Sequence, residues 1–242
     1  MGSIRHALTG TLVAALSVFG AAQGMAGPPV IELFTSQGCS SCPPADELLG
    51  TLADRDDIIA LSLPVDYWDY LGWKDSFATS QNTARQKSYA HARGDRSIYT
   101  PQIVVNGVRD IVGSDAGELD AALKSSGSQI VDLDVTMGPR AIDVAVPADP
   151  TGQRRHGVVW LAGFSGAEPV TIGRGENAGR KVVYHNVVRT LVRIGDWDGQ
   201  PTHLKVDRVK VWKKDMDGCA VIIQEDVYGG TGPVLAAALV RE

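Results

Sequence analysis

Residues 32–49, ELFTSQGCSSCPPADELL, place Cys39 and Cys42 between an apolar run and a helical pattern. The run before the cysteines, residues 29–35 (PVIELFT), is typical of a short buried strand. The pattern after them has apolar side chains at helical spacing, at Ala45, Leu48, Leu49 and Leu52. The two cysteines are therefore expected where a strand leads into the N-terminus of a helix.

A cysteine pair in this position has the properties of a redox-active disulfide. The N-terminus of a helix presents free N–H groups and about half a positive charge. A thiolate there is stabilised, so the pKa of the thiol falls below its free value of about 8.5. We expect Cys39, at the exposed end, to exchange with substrate, and Cys42, one turn into the helix, to resolve the mixed disulfide. The pair is then the redox group, and no other cofactor is expected.

Other roles for the pair stay open at the level of sequence. A structural disulfide across so short a loop would stabilise the fold only a little, because it constrains little of the unfolded chain. A zinc site needs a second pair of ligands, whereas the remaining cysteine is Cys219 and the histidines are scattered singly. A Cu(I) site that uses both thiolates and a distant histidine fits the preference of this ion for soft ligands.

The N-terminal residues 1–26 are typical of a secretory signal. Arg5 precedes a run of about fifteen apolar residues, and the run ends in the small-residue segment QGMAG. Such a run is short for a membrane-spanning helix, although an uncleaved N-terminal anchor is the alternative. We expect a periplasmic or secreted protein that is free of the membrane after cleavage, in a compartment where disulfides persist.

The composition excludes one class of partner. The chain of 242 residues has a formal net charge of −5 and 44% hydrophobic residues, which is typical of a globular protein with a substantial core. Its lysines and arginines do not form a stripe or cluster that would attract a nucleic-acid backbone. Nucleic acid is therefore not an expected partner.

The two halves of the chain after the signal differ in their sequence pattern. Residues 27–126 alternate strand-like and helix-like segments, and they contain Asn106-Gly107, which favours a tight hairpin turn. This order predicts an α/β domain. Residues 127–242 instead alternate apolar and polar residues with period two, between turn residues. They predict a separate all-β antiparallel sandwich domain, joined to the first domain at residues 125–129.

The order strand, C-x-x-C, helix, followed by YTPQIVVNG at residues 99–107, resembles the thioredoxin superfamily. The resemblance is closest to exported bacterial thioredoxin-like proteins of uncharacterised function, which have an appended β domain and carry ELFTSQGCSSCPP and YTPQ signatures. It implies that the first half is a thioredoxin-like domain, with Cys39 attacking and Cys42 resolving. It also implies a cis peptide bond between Thr100 and Pro101, beside which an extended substrate would dock near Gln102.

Glu32 lies on the strand before the cysteines, near the position where thioredoxins bury a carboxylate that helps to deprotonate the second cysteine. The resemblance therefore assigns Glu32 to the catalytic group, and a solvated strand residue is the alternative. Gly38 departs from the thioredoxin pattern, which has a tryptophan before the first cysteine. Pro43 and Pro44 must fall within the first helical turn, where a missing N–H is tolerated.

An aromatic and acidic segment, residues 65–77 (VDYWDYLGWKDSF), follows the second predicted strand. Ligand sites in α/β sheets tend to lie at the carboxyl ends of strands, so this segment is expected to face the cysteine pair. We predict that it binds substrate through Asp66, Tyr67, Trp68 and Trp73, together with Gln102. The alternative is that Trp68 and Trp73 fill the core.

These residues favour a thiol–disulfide oxidoreductase that exchanges disulfides with protein, peptide or small-thiol substrates and with a separate redox partner. The alternatives are a Cu(I)-binding protein of the metallochaperone type and a non-catalytic envelope-binding module with a structural disulfide. Three features outside this hypothesis are expected to be structural. Cys219 should be a buried thiol, His185 and Arg189 should make cross-strand contacts, and residues 173–181 (GRGENAGRK) should form a long hairpin turn.

Overall fold

The computed structural model describes residues 27–127, 129–227 and 230–242. The strands are β1 (Val30–Thr35), β2 (Ile59–Pro64), β3 (Gln102–Val105), β4 (Arg109–Val112), β5 (Asp134–Met137), β6 (Ala141–Val146), β7 (Gly157–Thr171), β8 (Lys181–Trp197), β9 (Thr202–Asp207), β10 (Gly218–Val227) and β11 (Gly230–Arg241). The helices are α1 (Pro43–Ala53), α2 (Ser80–Arg93), α3 (Ala116–Ser125) and α4 (Arg208–Val211), and a 3₁₀ turn lies at Asp69–Leu71. The predicted signal, residues 1–26, lies outside the described residues, as does Ser128 in the predicted joint.

Strands from both halves of the chain form one mixed, eight-stranded sheet in the order β11-β10-β7-β8-β2-β1-β3-β4. Strand β2 pairs in parallel with β1 on one side, and on the other side with β8, where Ser62 lies opposite Val187. The predicted fold, a thioredoxin-like α/β domain followed by an all-β antiparallel sandwich domain, is therefore wrong. The protein is mostly β, and its large sheet passes from the first half of the chain into the second.

The position of β2 shows why the sequence pattern missed this connection. All six residues of β2 are buried, as expected for a strand with neighbours at both edges and cover on both faces. Period-two alternation tells which face of a strand is buried, but it does not tell which strand lies beside it. Strand β8, with 17 residues, is long enough to pair with β7 and also to reach β2.

A smaller sheet, β5-β6-β9, packs on the part of the large sheet that the second half contributes. Alternation in β6 turns Ile142, Val144 and Val146 inward. They pack against Leu161 of β7 and Val221 of β10. This part of the molecule thus has two β layers, and one layer is the sheet that also contains β1 to β4.

Strand β1 is buried on both faces, which fixes the start of the cysteine loop. On one face Ile31 and Leu33 belong to a core with Leu49 of α1. On the other face Val30 and Phe34 belong to a core that includes α2 and strands of the second half of the chain. Because successive side chains of a strand point to opposite faces, the loop after β1 leaves from between two packed layers.

The predicted Asn106-Gly107 hairpin is confirmed, and it makes a further contact between the two halves. Asn106 and Gly107 have φ angles of +47° and +71°, and the antiparallel strands β3 and β4 flank them. A Cβ atom on Gly107 would lie 2.4 Å from the carbonyl oxygen of Gly232 in β11, so the turn has no room for a side chain. The Asn106 carbonyl accepts a hydrogen bond from the N–H of Val234 at 2.9 Å.

Candidate active site

Cys39 and Cys42 form a disulfide at the N-terminus of α1, with their Cα atoms 5.4 Å apart. Cys42 is the N-cap residue, and its carbonyl accepts hydrogen bonds from the N–H groups of Ala45 and Asp46 at 2.8 and 3.1 Å. Pro43 and Pro44 occupy the first two helical positions, where an N–H has no partner within the helix. The predicted placement of the pair, between a strand and a helix N-terminus, is confirmed, but Cys42 caps the helix and does not lie one turn into it.

The disulfide is covered, which the sequence did not predict. Cys39 is 2% exposed and Cys42 is fully buried, although Ser40 and Ser41 between them face solvent. The expectation that Cys39 lies at an exposed end is therefore wrong for this state of the protein. A reaction at Cys39 Sγ requires part of the surrounding structure to move.

The Thr100–Pro101 peptide bond is cis, as the resemblance implied. Pro101 lies close to the first turn of α1, and Gly113 fills the gap between them. A Cβ atom on Gly113 would be 3.0 Å from the Pro101 Cβ and 3.2 Å from the Ala45 Cβ. The cis-proline and the cysteine pair are therefore at the same end of α1.

Trp68 connects the cysteine loop with the cis-proline loop. Its Nε1–H donates to Thr100 Oγ1 at 2.8 Å. Its Cβ also lies 3.1 Å from where a Cβ on Gly38 would be, so the residue before Cys39 has to be small. The rings of Trp68 and Tyr67 lie 6.0 Å apart and pack against the core below. The structure thus brings Trp68 to the site, and it also gives both aromatic residues a role in packing.

Trp73 and Asp75 hold the backbone and side chain of Gln37, two residues before Cys39. Trp73 Nε1–H donates to Gln37 Oε1 at 2.8 Å, and Asp75 Oδ2 accepts from the N–H of Gln37 at 2.8 Å. Asp75 is buried, which raises the pKa of its carboxyl group, while hydrogen bonds from backbone N–H groups act against that rise. The segment that we predicted to face the cysteines therefore supports their loop.

Two of the predicted substrate-binding residues have structural partners instead. Asp66 Oδ1 accepts from Thr83 Oγ1 of α2 at 2.6 Å. Gln102 is buried, and its side chain accepts from Gln86 at 2.9 Å and donates to Asp110 at 3.1 Å. These two side chains link α2 with neighbouring elements.

Glu32 is not brought to the cysteine pair. It alternates with Ile31 and Leu33 and so lies on the face of β1 away from α1. There it is buried in an ion pair with Arg85, whose Nε lies 2.5 Å from Glu32 Oε1, and it also accepts a hydrogen bond from the Tyr89 hydroxyl. Gln224 of β10 donates to the same hydroxyl at 2.9 Å. Glu32 is therefore neither solvated nor close to Cys42.

Asp46 is a buried carboxyl group at the same end of α1 as the pair, and it was missed in the sequence. It is one helical turn after Cys42 and only 2% exposed. Thr35 Oγ1 donates to its Oδ1 at 2.8 Å, whereas its Oδ2 has no hydrogen-bond partner among the described residues. Burial raises the pKa of Asp46 well above its usual range, and the negative charges of Asp75 and Glu47 raise it further. An acid on the apolar stripe of α1, four residues after a cysteine, was the available signal.

Asp46, Asp75 and Tyr184 form a buried acidic cluster beside the cysteine loop. Tyr184 comes from β8, and its pKa is raised by burial and by the charges of the two aspartates. Its ring packs edge-on against that of Phe77, with centroids 5.9 Å apart. The second half of the chain thus contributes to the surroundings of the disulfide.

Asn177 is the second contribution of that half and was also missed. The predicted hairpin turn between β7 and β8 is confirmed, and Asn177 lies within it. Its Nδ2 donates to the carbonyl of Gln37 at 3.0 Å and to the carbonyl of Cys39 at 2.8 Å. A Cβ on Gly173, in the same turn, would lie 2.9 Å from the ring of Trp73. The turn therefore packs directly on the cysteine loop.

The remaining candidates have structural surroundings. Cys219 is buried on β10, and burial raises the pKa of its thiol to about 11. The guanidinium of Arg189 lies 4.8 Å from the ring centroid of Phe77. His185 packs against Gly50 of α1, where an added Cβ would lie 2.9 Å from the imidazole. None of these three was predicted to be catalytic.

Within the described ranges, no three or more histidine, cysteine, aspartate or glutamate side chains are grouped so as to hold a metal ion. The same ranges contain no helix long and apolar enough to cross a membrane.

The fold and the site define a mostly β protein with an oxidised cysteine pair at a helix N-terminus, beside a cis-proline. The chain belongs to the family described as "Protein of unknown function (DUF1223)", whose model matches residues 30–224. A search of curated proteins gave no match.

Two solved structures are similar to the chain. One is the X-ray structure of an Agrobacterium tumefaciens protein, 33% identical, which superposes with a TM-score of 0.77 over 89% of this chain and 95% of that one. The other is HBP35 of Porphyromonas gingivalis, 13% identical, with a TM-score of 0.58 over 90% of this chain and 76% of that one. The second likeness is one of fold alone.

Proposed function

We propose that the protein is a thiol–disulfide oxidoreductase that acts in the periplasm or after secretion. The observation that carries this proposal is the Cys39–Cys42 disulfide at the N-terminus of α1, close to the cis Thr100–Pro101 bond. This local arrangement is similar to the one that thioredoxins use. A helix N-terminus favours the thiolate that thiol–disulfide exchange requires.

The exchange begins when a thiolate of the substrate attacks Cys39 Sγ. The Cys39–Cys42 bond breaks, a mixed disulfide forms between the substrate and Cys39, and Cys42 leaves as a thiolate. A second thiolate of the same substrate then attacks the substrate sulfur that is bonded to Cys39. The disulfide of the substrate forms, and Cys39 leaves as a thiolate. Two electrons pass from the substrate to the pair, and the reverse sequence reduces a substrate disulfide. A separate redox partner returns the pair to its starting state.

Asp46 is the proton donor and acceptor that we assign to Cys42 in this reaction. Cys42 is fully buried, so water does not reach the thiolate that forms when the disulfide breaks. Asp46 lies one turn further along the same helix, and its raised pKa keeps a proton on the carboxyl group to a higher pH than usual. Transfer of this proton to Cys42 neutralises the buried thiolate, and the reverse transfer prepares Cys42 for attack.

Turnover of insulin disulfides or of glutathione by the purified protein tests the proposal. The Cys39→Ser variant should lose the activity, whereas Cys219→Ser should keep it, because Cys219 is buried on β10. Equal and negligible rates for the wild-type protein and the Cys39→Ser variant would contradict the proposal. A Cu(I) titration of the reduced protein, in the same series, separates the metallochaperone hypothesis from this one.

A further inference from the structure

The proposed exchange requires an approach to Cys39 Sγ that the structure closes. An attacking thiolate must reach the sulfur, yet Cys39 is 2% exposed. Two elements meet at the backbone around it, namely Trp68 and the turn between β7 and β8. The hydroxyl of Ser41 lies 3.4 Å from Cys39 Sγ, but Ser41 itself faces solvent, so these two elements are the candidates whose movement would open the approach.

Trp68 is the less mobile of the two elements. Its indole N–H is bonded to Thr100, and its ring packs on the same core as Phe34 and Leu63. Moving this side chain would expose apolar surface and break the link to the cis-proline loop. Trp68 is therefore a fixed wall of the site.

The turn between β7 and β8 is attached to the cysteine loop in a different way. We call residues 173–179 the covering loop. Among them Asn177 is the buried side chain, at 1% exposure, and the other residues face solvent. Gly175 and Gly179 have φ angles of +79° and +82°, which favours glycine, and Ile172 anchors the base of the loop in a core with Tyr184.

Resting on the proposed function, we infer that the covering loop is a lid over the Cys39–Cys42 disulfide, and that Asn177 holds the lid closed. The two hydrogen bonds from Asn177 Nδ2 to the carbonyls of Gln37 and Cys39 tie the loop to residues about 140 positions away in the chain. Substrate reaches Cys39 when these bonds break and the loop swings away from its anchored base.

The side chain of Asn177 is suited to reversible closure. Its Oδ1 is buried and has no hydrogen-bond partner among the described residues. A buried acceptor without a donor is unfavourable, so part of the gain from the two Nδ2 bonds is lost in the closed state. Opening lets water reach Oδ1, and it frees the carbonyls of Gln37 and Cys39 to accept N–H groups from the backbone of a polypeptide substrate.

The rate at which a water-soluble phosphine reduces the disulfide of the purified, oxidised protein tests the lid. The phosphine attacks sulfur directly, water supplies the oxygen of the phosphine oxide, and the two thiols are counted by alkylation and mass spectrometry. Asn177→Ala should raise this rate about tenfold or more, because two hydrogen bonds no longer oppose opening.

Asn186 provides a matched control. Its Nδ2 also makes two hydrogen bonds to distant backbone carbonyls, those of Ala53 at the other end of α1 and of Ala60 in β2. Asn186→Gly suits the φ angle of +45° at this position and removes these two bonds, together with the long one that its Oδ1 accepts from Arg241 at 3.4 Å. This variant should leave the reduction rate within about twofold of the wild type if opening is confined to the lid.

The reduction rates of the variants either support the lid or contradict it. An unchanged or lower rate in Asn177→Ala would overturn it, and so would an equal rise in Asn186→Gly, since that would mean general loosening. A rise in Trp68→Ala without one in Asn177→Ala would assign the cover to Trp68. The phosphine rate does not depend on catalysis, so a failure of the insulin assay would remove the proposed function and leave the lid measurable.

Discussion

The buried carboxyl groups on the two sides of β1 differ in their hydrogen-bond and charge partners. On the face toward α2, Glu32 is matched by the guanidinium of Arg85 and by the hydroxyl of Tyr89. On the side of α1, Asp46 has a single hydroxyl donor from Thr35, and one of its oxygens has no partner among the described residues. The first carboxyl group is buried as a charge with its counterion, and the second is buried without a cation.

The difference separates a structural group from the one to which we assign proton transfer. A buried ion pair with additional hydrogen bonds holds its two side chains in place, and removing either partner leaves the other charge buried without compensation. A buried acid without a cation keeps its proton to a higher pH than an exposed acid does, and that proton is the one that transfer to a thiolate would use. The sequence resemblance pointed to Glu32 for the reactive role, whereas the geometry supports Asp46.

The largest expected effect is the loss of stability caused by a substitution at Glu32. Glu32→Gln leaves Arg85 buried without its counterion and should lower the free energy of unfolding by about 3–5 kcal/mol. Urea unfolding of the oxidised protein measures the change. The double variant Glu32→Met/Arg85→Met should recover part of the loss, because it leaves no unpaired buried charge. If Glu32→Gln lowered the free energy of unfolding by less than 1 kcal/mol, the structural role assigned to the ion pair of Glu32 and Arg85 would be contradicted.

The second effect is on the reaction, from the Asp46 side. Asp46→Asn should slow disulfide exchange at neutral pH by about 100-fold, since the amide cannot transfer a proton to Cys42. The pH dependence of the rate should also become flatter, which a purely structural role would not cause. The rate against pH in the insulin assay measures both changes.

Glu47→Gln is the matched control for Asp46→Asn, because Glu47 is the next residue of α1 and faces solvent. It removes the same formal charge but leaves the carboxyl group of Asp46, so the rate should stay close to that of the wild type. Its pH dependence should persist, displaced only toward lower pH, because one of the charges that raise the pKa of Asp46 is gone. A rate in Asp46→Asn as high as in Glu47→Gln would show that Asp46 takes no part in the exchange.

A third effect is the pH dependence of stability. The pKa of Asp46 is higher in the folded protein than in the unfolded chain, so the folded state binds the proton more tightly. Its contribution is fully present below the unfolded pKa of about 3.9 and is lost as the pH rises through the folded pKa. Asp46→Asn should therefore gain stability relative to the wild type as the pH increases. Thermal unfolding from pH 4 to 9 tests this, and a Tm of Asp46→Asn that falls relative to that of the wild type as the pH rises would contradict it.

The smallest effect concerns the third cysteine, whose thiol is buried but has no redox partner. Because burial raises the pKa of Cys219 to about 11, the folded protein should not be alkylated there by iodoacetamide at pH 8. Unfolding in urea should restore the reaction. Mass spectrometry before and after unfolding measures it, and rapid labelling of the folded protein would show that Cys219 is accessible.

Several parts of the candidate site could be predicted from the sequence. The spacing of Cys39 and Cys42, the prolines after them and the Thr100-Pro101 pair all act within a few residues of the chain, and the structure places them as expected. The Asn106-Gly107 turn is local in the same way. The predicted domain boundaries, the secretory signal and the location of the protein stay predictions.

The parts that failed depend on contacts between distant residues. Whether Glu32 or Asp46 lies beside Cys42 depends on which face of β1 packs against α1, and both residues fit a buried pattern in the sequence. Asn177 was predicted only as part of a hairpin turn, since nothing in the neighbouring sequence indicates a partner in the cysteine loop. Strand β8 was predicted as one of several strands in which apolar and polar residues alternate, and this pattern did not indicate that it pairs with β2.

The cysteine pair and the helix that follows it are encoded locally, whereas the contacts that enclose them are not. The cysteine pair and the helix start depend on short-range sterics and hydrogen bonding, so the sequence was enough to find them, and the resemblance carried by YTPQ implied the cis-proline. The burial of the disulfide, the raised pKa of Asp46 and the closure by Asn177, 138 residues from Cys39, arise from desolvation and from long-range packing. These exist once the strands of both halves share one sheet, and the folded chain alone decides that.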